Sequence, residues 1–140
     1  MIQIFEIQTP EEMAAAFEIR RIVFVIGQNC APDEEYDEHE KSCRHFLAKY
    51  QGIKAGTCRI RQTENGIKLE RFAVLESYRG KKIGAALVEN CLEKIMPTHK
   101  VIYLHAQEHA LDFYKKLGFE QVGERFFEAN IPHFKMILNK

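Results

Sequence analysis

The N-terminal residues alternate, with Ile2 and Ile4 apolar and Gln3 polar, and this period predicts a short strand running to about Ile7. Thr9-Pro10-Glu11-Glu12 then reads as a helix start. Thr9 can cap, Pro10 suits the first helical position, and Glu12 completes a capping box. Met13, Phe17 and Ile19 carry the helix towards Phe24, with Arg20 and Arg21 near its end. Gly27, Asn29 and Pro32 break the pattern, and six acids fall between Asp33 and Glu40. Such a run is either a solvated loop or a lid that meets a cationic substrate group.

Strand signals follow. His45 to Tyr50, a Gln51-Gly52 turn and Ile53 to Arg61 form one predicted hairpin, and Asn65-Gly66 joins the second strand to a third over Ile67 to Val74. Beyond Gly80 the period changes. Ile83, Leu87, Val88, Cys91, Leu92 and Ile95 recur at helical spacing and stop before Pro97. Val101 to Leu104 reads as a buried strand, and Ala110 to Leu117 as a helix closed by Gly118 in a left-handed cap. Two strands remain, around Phe119 to Phe127 and Pro132 to Leu138. The order β-α-β-β-β-α-β-α-β-β predicts an α/β (α+β) fold, a mixed and mostly antiparallel sheet flanked by helices.

Composition narrows the function. The 140 residues, 46% of them hydrophobic, are enough for one packed core and fit a single domain over 1–140. Twenty basic residues balance twenty acidic ones, which argues against a nucleic-acid or anionic-membrane footprint. The apolar run Ile22 to Ile26 is too short to span a bilayer, and no secretory signal opens the chain, so a soluble, cytoplasmic protein is expected. Cys30, Cys43, Cys58 and Cys91 form no C-x-x-C pair, and their spacing with His39 and His45 fits no common metal site. Reduced thiols and no metal are the expectation.

In a neutral chain, an anion must be held by a local device. Arg79-Gly80-Lys81-Lys82-Ile83-Gly84-Ala85 lies at a strand-to-helix joint, where unpaired N–H groups and the helix dipole favour a phosphate. It is neither a Walker loop nor a dinucleotide fingerprint, and alone it reads equally well as an ordinary basic turn.

Val74 to Gly84 resembles the coenzyme A signature of the GNAT superfamily of N-acetyltransferases, with Lys82 at a usual glycine position. Ala110-Leu111-Asp112-Phe113-Tyr114-Lys115-Lys116-Leu117-Gly118-Phe119 resembles its second hallmark, with Gln107 where an Asn is common. Phe24-Val25 with Gln28, Asp37-Glu38-His39, His105-Ala106-Gln107 and Ile131-Pro132-His133 with Met136 are similar to the ElaA/YjcF-like branch. Gly27 stands where that branch often has an acid.

The resemblance implies a V-shaped opening between two central parallel strands, with acetyl-CoA as co-substrate. Pantetheine would pair with the backbone of Phe72, Ala73 and Val74, extending the sheet. The pyrophosphate would sit on Arg79, Gly80, Lys81, Lys82, Ile83, Gly84 and Ala85, and Gln107, Phe113 and Tyr114 would lie along the coenzyme. Tyr114 would protonate the leaving sulfur and the Val74 N–H would meet the oxyanion. His133 resembles a general base of glyphosate-type relatives, against a purely structural histidine. Glu70 is the rival base, two residues before Phe72 and so expected on its strand face. Arg20 resembles a substrate-facing arginine of those relatives, against an ordinary surface arginine.

Arg20, Glu70, His105 and His133 are thus expected around a small, zwitterionic amine acceptor, and the acidic run would favour a polyamine instead. The expected activity is acetyl transfer from acetyl-CoA to a primary amine of a small molecule or peptide. The alternative is an acyl-CoA-binding module with little or no turnover. No nucleic-acid or membrane partner is expected, and a homodimer is compatible with the superfamily.

Overall fold

A computed structural model describes residues 1–30 and 40–139. The acidic run, apart from Glu40, lies outside these residues.

The chain forms β1 (Ile2–Glu6), α1 (Pro10–Arg20), β2 (Arg44–Tyr50), β3 (Ile53–Thr63), β4 (Gly66–Val74), α2 (Ile83–Ile95), β5 (Ile102–Gln107), α3 (Leu111–Lys116), β6 (Phe119–Glu128) and β7 (Ile131–Leu138). Both halves of the Thr9 capping box are made. Past Arg20 the first helix loosens into a π-helical stretch, Arg21–Ile26, a change of pitch that apolar periodicity does not reveal.

The strands make one sheet in the order β1-β2-β3-β4-β5-β7-β6. The predicted run of three antiparallel strands is present as β2, β3 and β4, and Gly52 and Gly66 take the positive φ that its turns demand (83° and 131°). β4 and β5 are parallel, and they pair only at Ile67–Ile102 and Lys68–Tyr103. Beyond those positions they part, which is the V-shaped opening expected from the resemblance.

A bulge in β4 accompanies the parting. Between the Thr57–Ala73 and Arg59–Glu70 pairs, Cys58 of β3 faces two residues of β4, Arg71 and Phe72. Arg71 takes φ 60°, the extra residue of the bulge. One apolar cluster packs α2 residues Ile83, Leu87, Val88 and Cys91 on Phe46, Cys58, Ile60, Leu69, Leu104 and Met136. A second cluster, on the other face, packs Ala16, Ile19, Val23 and Phe24 on Leu47 and Ala73.

The bulge corrects one expectation. Leu69 and Phe72 both pack with the α2 cluster, whereas Glu70 pairs with Arg59 on the opposite face. Simple alternation puts Glu70 and Phe72 on one face. The inserted Arg71 separates them.

Candidate functional site

A cavity of about 500 Å³ opens where β4 and β5 diverge. Its walls include Phe72, Ala73, Val74 and Arg79 on one side and His105, Gln107, Tyr114, Glu128 and His133 on the other. Glu70, Arg71 and Lys68 line its α1 side together with Phe24 and Gln28.

The β4 backbone is aimed into the gap. Leu75 N–H donates to Ala55 O across β3 at 2.9 Å. Strand alternation therefore turns the Val74 N–H the other way, towards the parted β5. The Val74 carbonyl accepts a hydrogen bond from Arg79 Nε at 3.1 Å, which ties the following turn to the strand end.

That turn leads into α2. Gly80 and Lys82 both take positive φ, 81° and 68°. Lys82 caps α2 in the left-handed region without a side-chain hydrogen bond to the helix, so the first amides of α2 are left to another acceptor. The left-handed geometry explains why glycine is usual at this position. A Cβ on Gly84 would lie 3.3 Å from Phe113 Cζ, so α2 and α3 approach here to within the thickness of a side chain. Uncapped amides, three nearby cations and a close glycine together fit a pyrophosphate, and the open β4 edge fits a pantetheine arm.

Tyr114 stands on α3 with its ring against Phe72, Phe113 and Phe119. Its hydroxyl has no hydrogen-bond partner among the described residues. Burial, with the thiols of Cys58 and Cys91 adding to it, pushes the phenol well above its ordinary pKa. The group therefore keeps its proton at any working pH. The two thiols lie behind it in the core, their Sγ atoms 3.5 Å apart.

His133 is 8% exposed on β7. Its Nδ1 lies 2.7 Å from Ile131 O, an atom that can only accept. The proton must therefore sit on Nδ1 in the neutral ring, which leaves the lone pair on Nε2. Glu128, which sequence reasoning passed over, stands between two histidines: its Oε1 is 3.3 Å from His105 Nδ1 and 3.9 Å from His133 Nε2. Burial opposes ionisation of Glu128, but His105 outweighs it and holds the carboxyl below its usual range.

Glu70 lines the cavity but is committed elsewhere. Arg59 Nη2 lies 2.7 Å from Oε2 and Arg61 Nε 2.7 Å from Oε1. Burial pushes its pKa up, yet the charges of Arg59 and Lys68 and the two arginine hydrogen bonds win, leaving it at about 2. Such a carboxylate has little affinity for a proton.

Arg20 is not where either expectation put it. It is 1% exposed, does not line the cavity, and grips Glu40 with two hydrogen bonds of 2.9 and 2.7 Å. Glu40 also takes Arg59 Nη1 at 2.9 Å, so Arg20, Glu40, Arg59 and Glu70 form one buried chain of alternating charge. A cation at a helix end next to a buried carboxylate is drawn inward rather than to the acceptor.

Gln107 lines the cavity with its amide in use. It exchanges two hydrogen bonds with Gln28 (3.0 and 3.2 Å) and accepts a third from His109 at 2.7 Å.

Fold and cavity together define the GNAT acyltransferase fold, and comparison with known proteins agrees. Residues 13–140 match the model of the acetyltransferase (GNAT) domain, and the chain belongs to that family. Within it the chain falls in the ElaA/YjcF-like branch. It is 37% identical over 131 residues to the uncharacterized N-acetyltransferase YjcF of Bacillus subtilis, covering 91% of this chain and 92% of that one. Protein ElaA of Escherichia coli is 33% identical over 133 residues, 89% of this chain and 86% of ElaA. The ElaA crystal structure superposes with a TM-score of 0.88 over 99% of this chain and 100% of that one. An aminoglycoside 6'-N-acetyltransferase complexed with coenzyme A shares the fold, with a TM-score of 0.76 at 20% identity over 98% of this chain and 95% of that one.

Proposed function

We propose that the protein, as one domain over its 140 residues, transfers the acetyl group of acetyl-CoA to the primary amine of a small molecule. Transfer occurs by direct attack with both substrates bound. One observation carries the reading: a single cavity brings together an imidazole nitrogen able to take a proton and a phenol with a proton to give. Membership of the GNAT family and a fold shared with a coenzyme A complex support acetyl-CoA as the donor.

In this mechanism the turn from Arg79 to Ala85 holds the pyrophosphate, through the amides at the start of α2 and the charges of Arg79, Lys81 and Lys82. Phe72, Ala73 and Val74 pair with the pantetheine arm, and Gln107 and Phe113 flank it. His133 Nε2 accepts the proton shed by the attacking amine, directly or through one water. The Val74 N–H faces the carbonyl oxygen as negative charge gathers there. Tyr114 gives its proton to the departing sulfur. His133 rather than Glu70 is the base, because the arginines around Glu70 keep its proton affinity too low. His105 and Glu128 stand beside the amine.

The test is release of free thiol from acetyl-CoA across a library of amines, with the acetylated product identified by mass spectrometry. Turnover with at least one amine, lost in Tyr114→Phe and His133→Ala, is the expected result. Coenzyme binding without thiol release from any amine would return the protein to the other class, an acyl-CoA-binding module.

A further inference from the structure

Lys68 is a mostly buried lysine whose ammonium makes no hydrogen bond to a described residue. Lys68 is 8% exposed, and its Nζ comes no nearer to an acid than 3.9 Å, at Glu70 Oε1. Both Glu70 oxygens are already taken at 2.7 Å by Arg59 and Arg61. An ammonium has three donors, and those that face a cavity take water or a bound ligand as their acceptor.

Lys68 is also the last residue of β4 paired to β5 before the strands part. There it lines the central cavity and a second one of about 470 Å³ on the same face, and His105 is shared between the two. The second cavity carries three fixed cationic side chains, Arg61, Lys68 and Lys135, against one carboxylate, Glu64. Arg61 is bound to Glu70, and Lys135 lies over the Tyr103 ring at 5.0 Å. In the central cavity Arg71 Nη1 lies 3.8 Å from Glu70 Oε2 and Arg79 Nε is spent on the Val74 carbonyl. Lys68 stands at the floor of that cavity with no hydrogen bond to a described residue.

We propose that Lys68 binds a carboxylate on the acceptor, so that the acceptor is a primary amine carrying a monoanionic group several bonds away. The inference rests on the acetyl-transfer reading and names its substrate class. One ammonium matches one negative charge; a phosphate dianion is better served by bidentate guanidinium groups, and those of Arg59 and Arg61 are held on Glu70. The separation follows from the strand. Lys68 precedes Phe72 by four positions, on the order of 10 Å along β4. An α-amino acid holds its two charges too close together to reach both ends.

The experiment compares 6-aminohexanoate with its neutral match 6-aminohexanamide, and with 5-aminopentyl phosphate. Wild type, Lys68→Met and Lys68→Arg are each read by thiol release and by calorimetric binding to the coenzyme A-saturated protein, with melting curves confirming fold. The expected result is a preference of roughly ten-fold or more for the carboxylate over the amide, the scale of one charged hydrogen bond. The preference should appear mainly in KM and Kd, fall to near parity in Lys68→Met and return in Lys68→Arg. Equal use of carboxylate and amide by the wild type, or a preference that survives in Lys68→Met, would overturn the assignment. Preference for the phosphate over the carboxylate would overturn the monoanion. Carboxylate-dependent binding without thiol release from any amine would sustain the Lys68 site while sinking acetyl transfer.

Discussion

Arg59 and Glu70 face each other across β3 and β4 at 2.7 Å, with side chains 0% and 6% exposed. Their pairing decides what the carboxylate beside the acceptor cavity can do. Taken out of water, each charge is tolerable only because the other is there. Glu70 therefore organises the floor of the cavity, and in the proposed mechanism proton transfer falls to the histidine across the gap.

The depressed Glu70 pKa makes stability depend on pH. An unfolded glutamate titrates near 4.3, and the folded one at about 2. A lowered native pKa contributes stability that is complete above the unfolded value and lost as pH falls towards the folded one. The contribution is on the order of 3 kcal/mol. Urea denaturation should show stability falling between about pH 4.5 and 2, with the slope much reduced in Glu70→Gln. At pH 7 the same variant should lose about 3 kcal/mol, since Arg59 loses the carboxylate that meets its Nη2.

His133→Ala should flatten the acidic limb of the pH–rate profile for kcat/KM, while Glu70→Gln should keep that limb. The reverse result would move the base to the carboxylate. The measurement belongs at saturating acetyl-CoA, so that coenzyme binding does not shape the curve.

Tyr114→Phe removes one oxygen from a ring held by three aromatic neighbours. Packing and acetyl-CoA affinity should survive, and single-turnover acetyl transfer should slow by roughly 10²-fold or more. Unchanged turnover, with chemistry shown to be rate-limiting, would remove the phenol from the reaction.

Arg20→Met should behave as a core lesion. Breaking one side of a buried pair typically costs about 3–5 kcal/mol, and Arg20 is 1% exposed with Nη1 and Nη2 on Glu40. Denaturation should report that loss, and KM values for carboxylated and neutral amines should shift together if at all. A selective loss of the carboxylated acceptor would place Arg20 in the acceptor site after all.

Acetyl-CoA should raise the melting temperature, and acetyl-pantetheine should raise it much less. Gly84→Val should abolish most of the acetyl-CoA shift. The new Cβ meets only the end of the Phe113 ring, itself 39% exposed, so the fold can yield there while the phosphate turn is blocked.

The elements were legible because each has its own local signal. The box at Thr9, the glycine turns and the helical spacing from Ile83 to Ile95 act within a few residues of chain. The basic glycine turn that leads into α2 was legible for the same reason. What escaped needed contacts between distant segments. Arg20, Glu40, Arg59 and Glu70 meet only after four segments have packed, and nothing in their spacing announces it. Arg71 in the left-handed region carries no sequence mark of a bulge, so strict alternation misplaced Glu70 relative to Phe72. Glu128 becomes a site residue only through the β6–β7 register, which sets Phe126 opposite His133. A reader of the sequence had one clue, an acid just before the Ala129-Asn130 turn that leads to His133.

With only two paired positions between β4 and β5, the sheet has a seam, and the molecule divides along it into β1–β4 and β5–β7. What crosses the seam besides those two pairs includes one shared apolar cluster, the Gln28–Gln107 amide pair and the Thr63–Tyr103 hydroxyl contact. Each half is thus able to open as its own cooperative unit, and the C-terminal one, made of β5, α3, β6 and β7, lacks a full ladder to anchor it. Amide exchange in that half should be governed by sub-global opening in the free protein. A ligand bridging both lips of the seam would merge the two units into one.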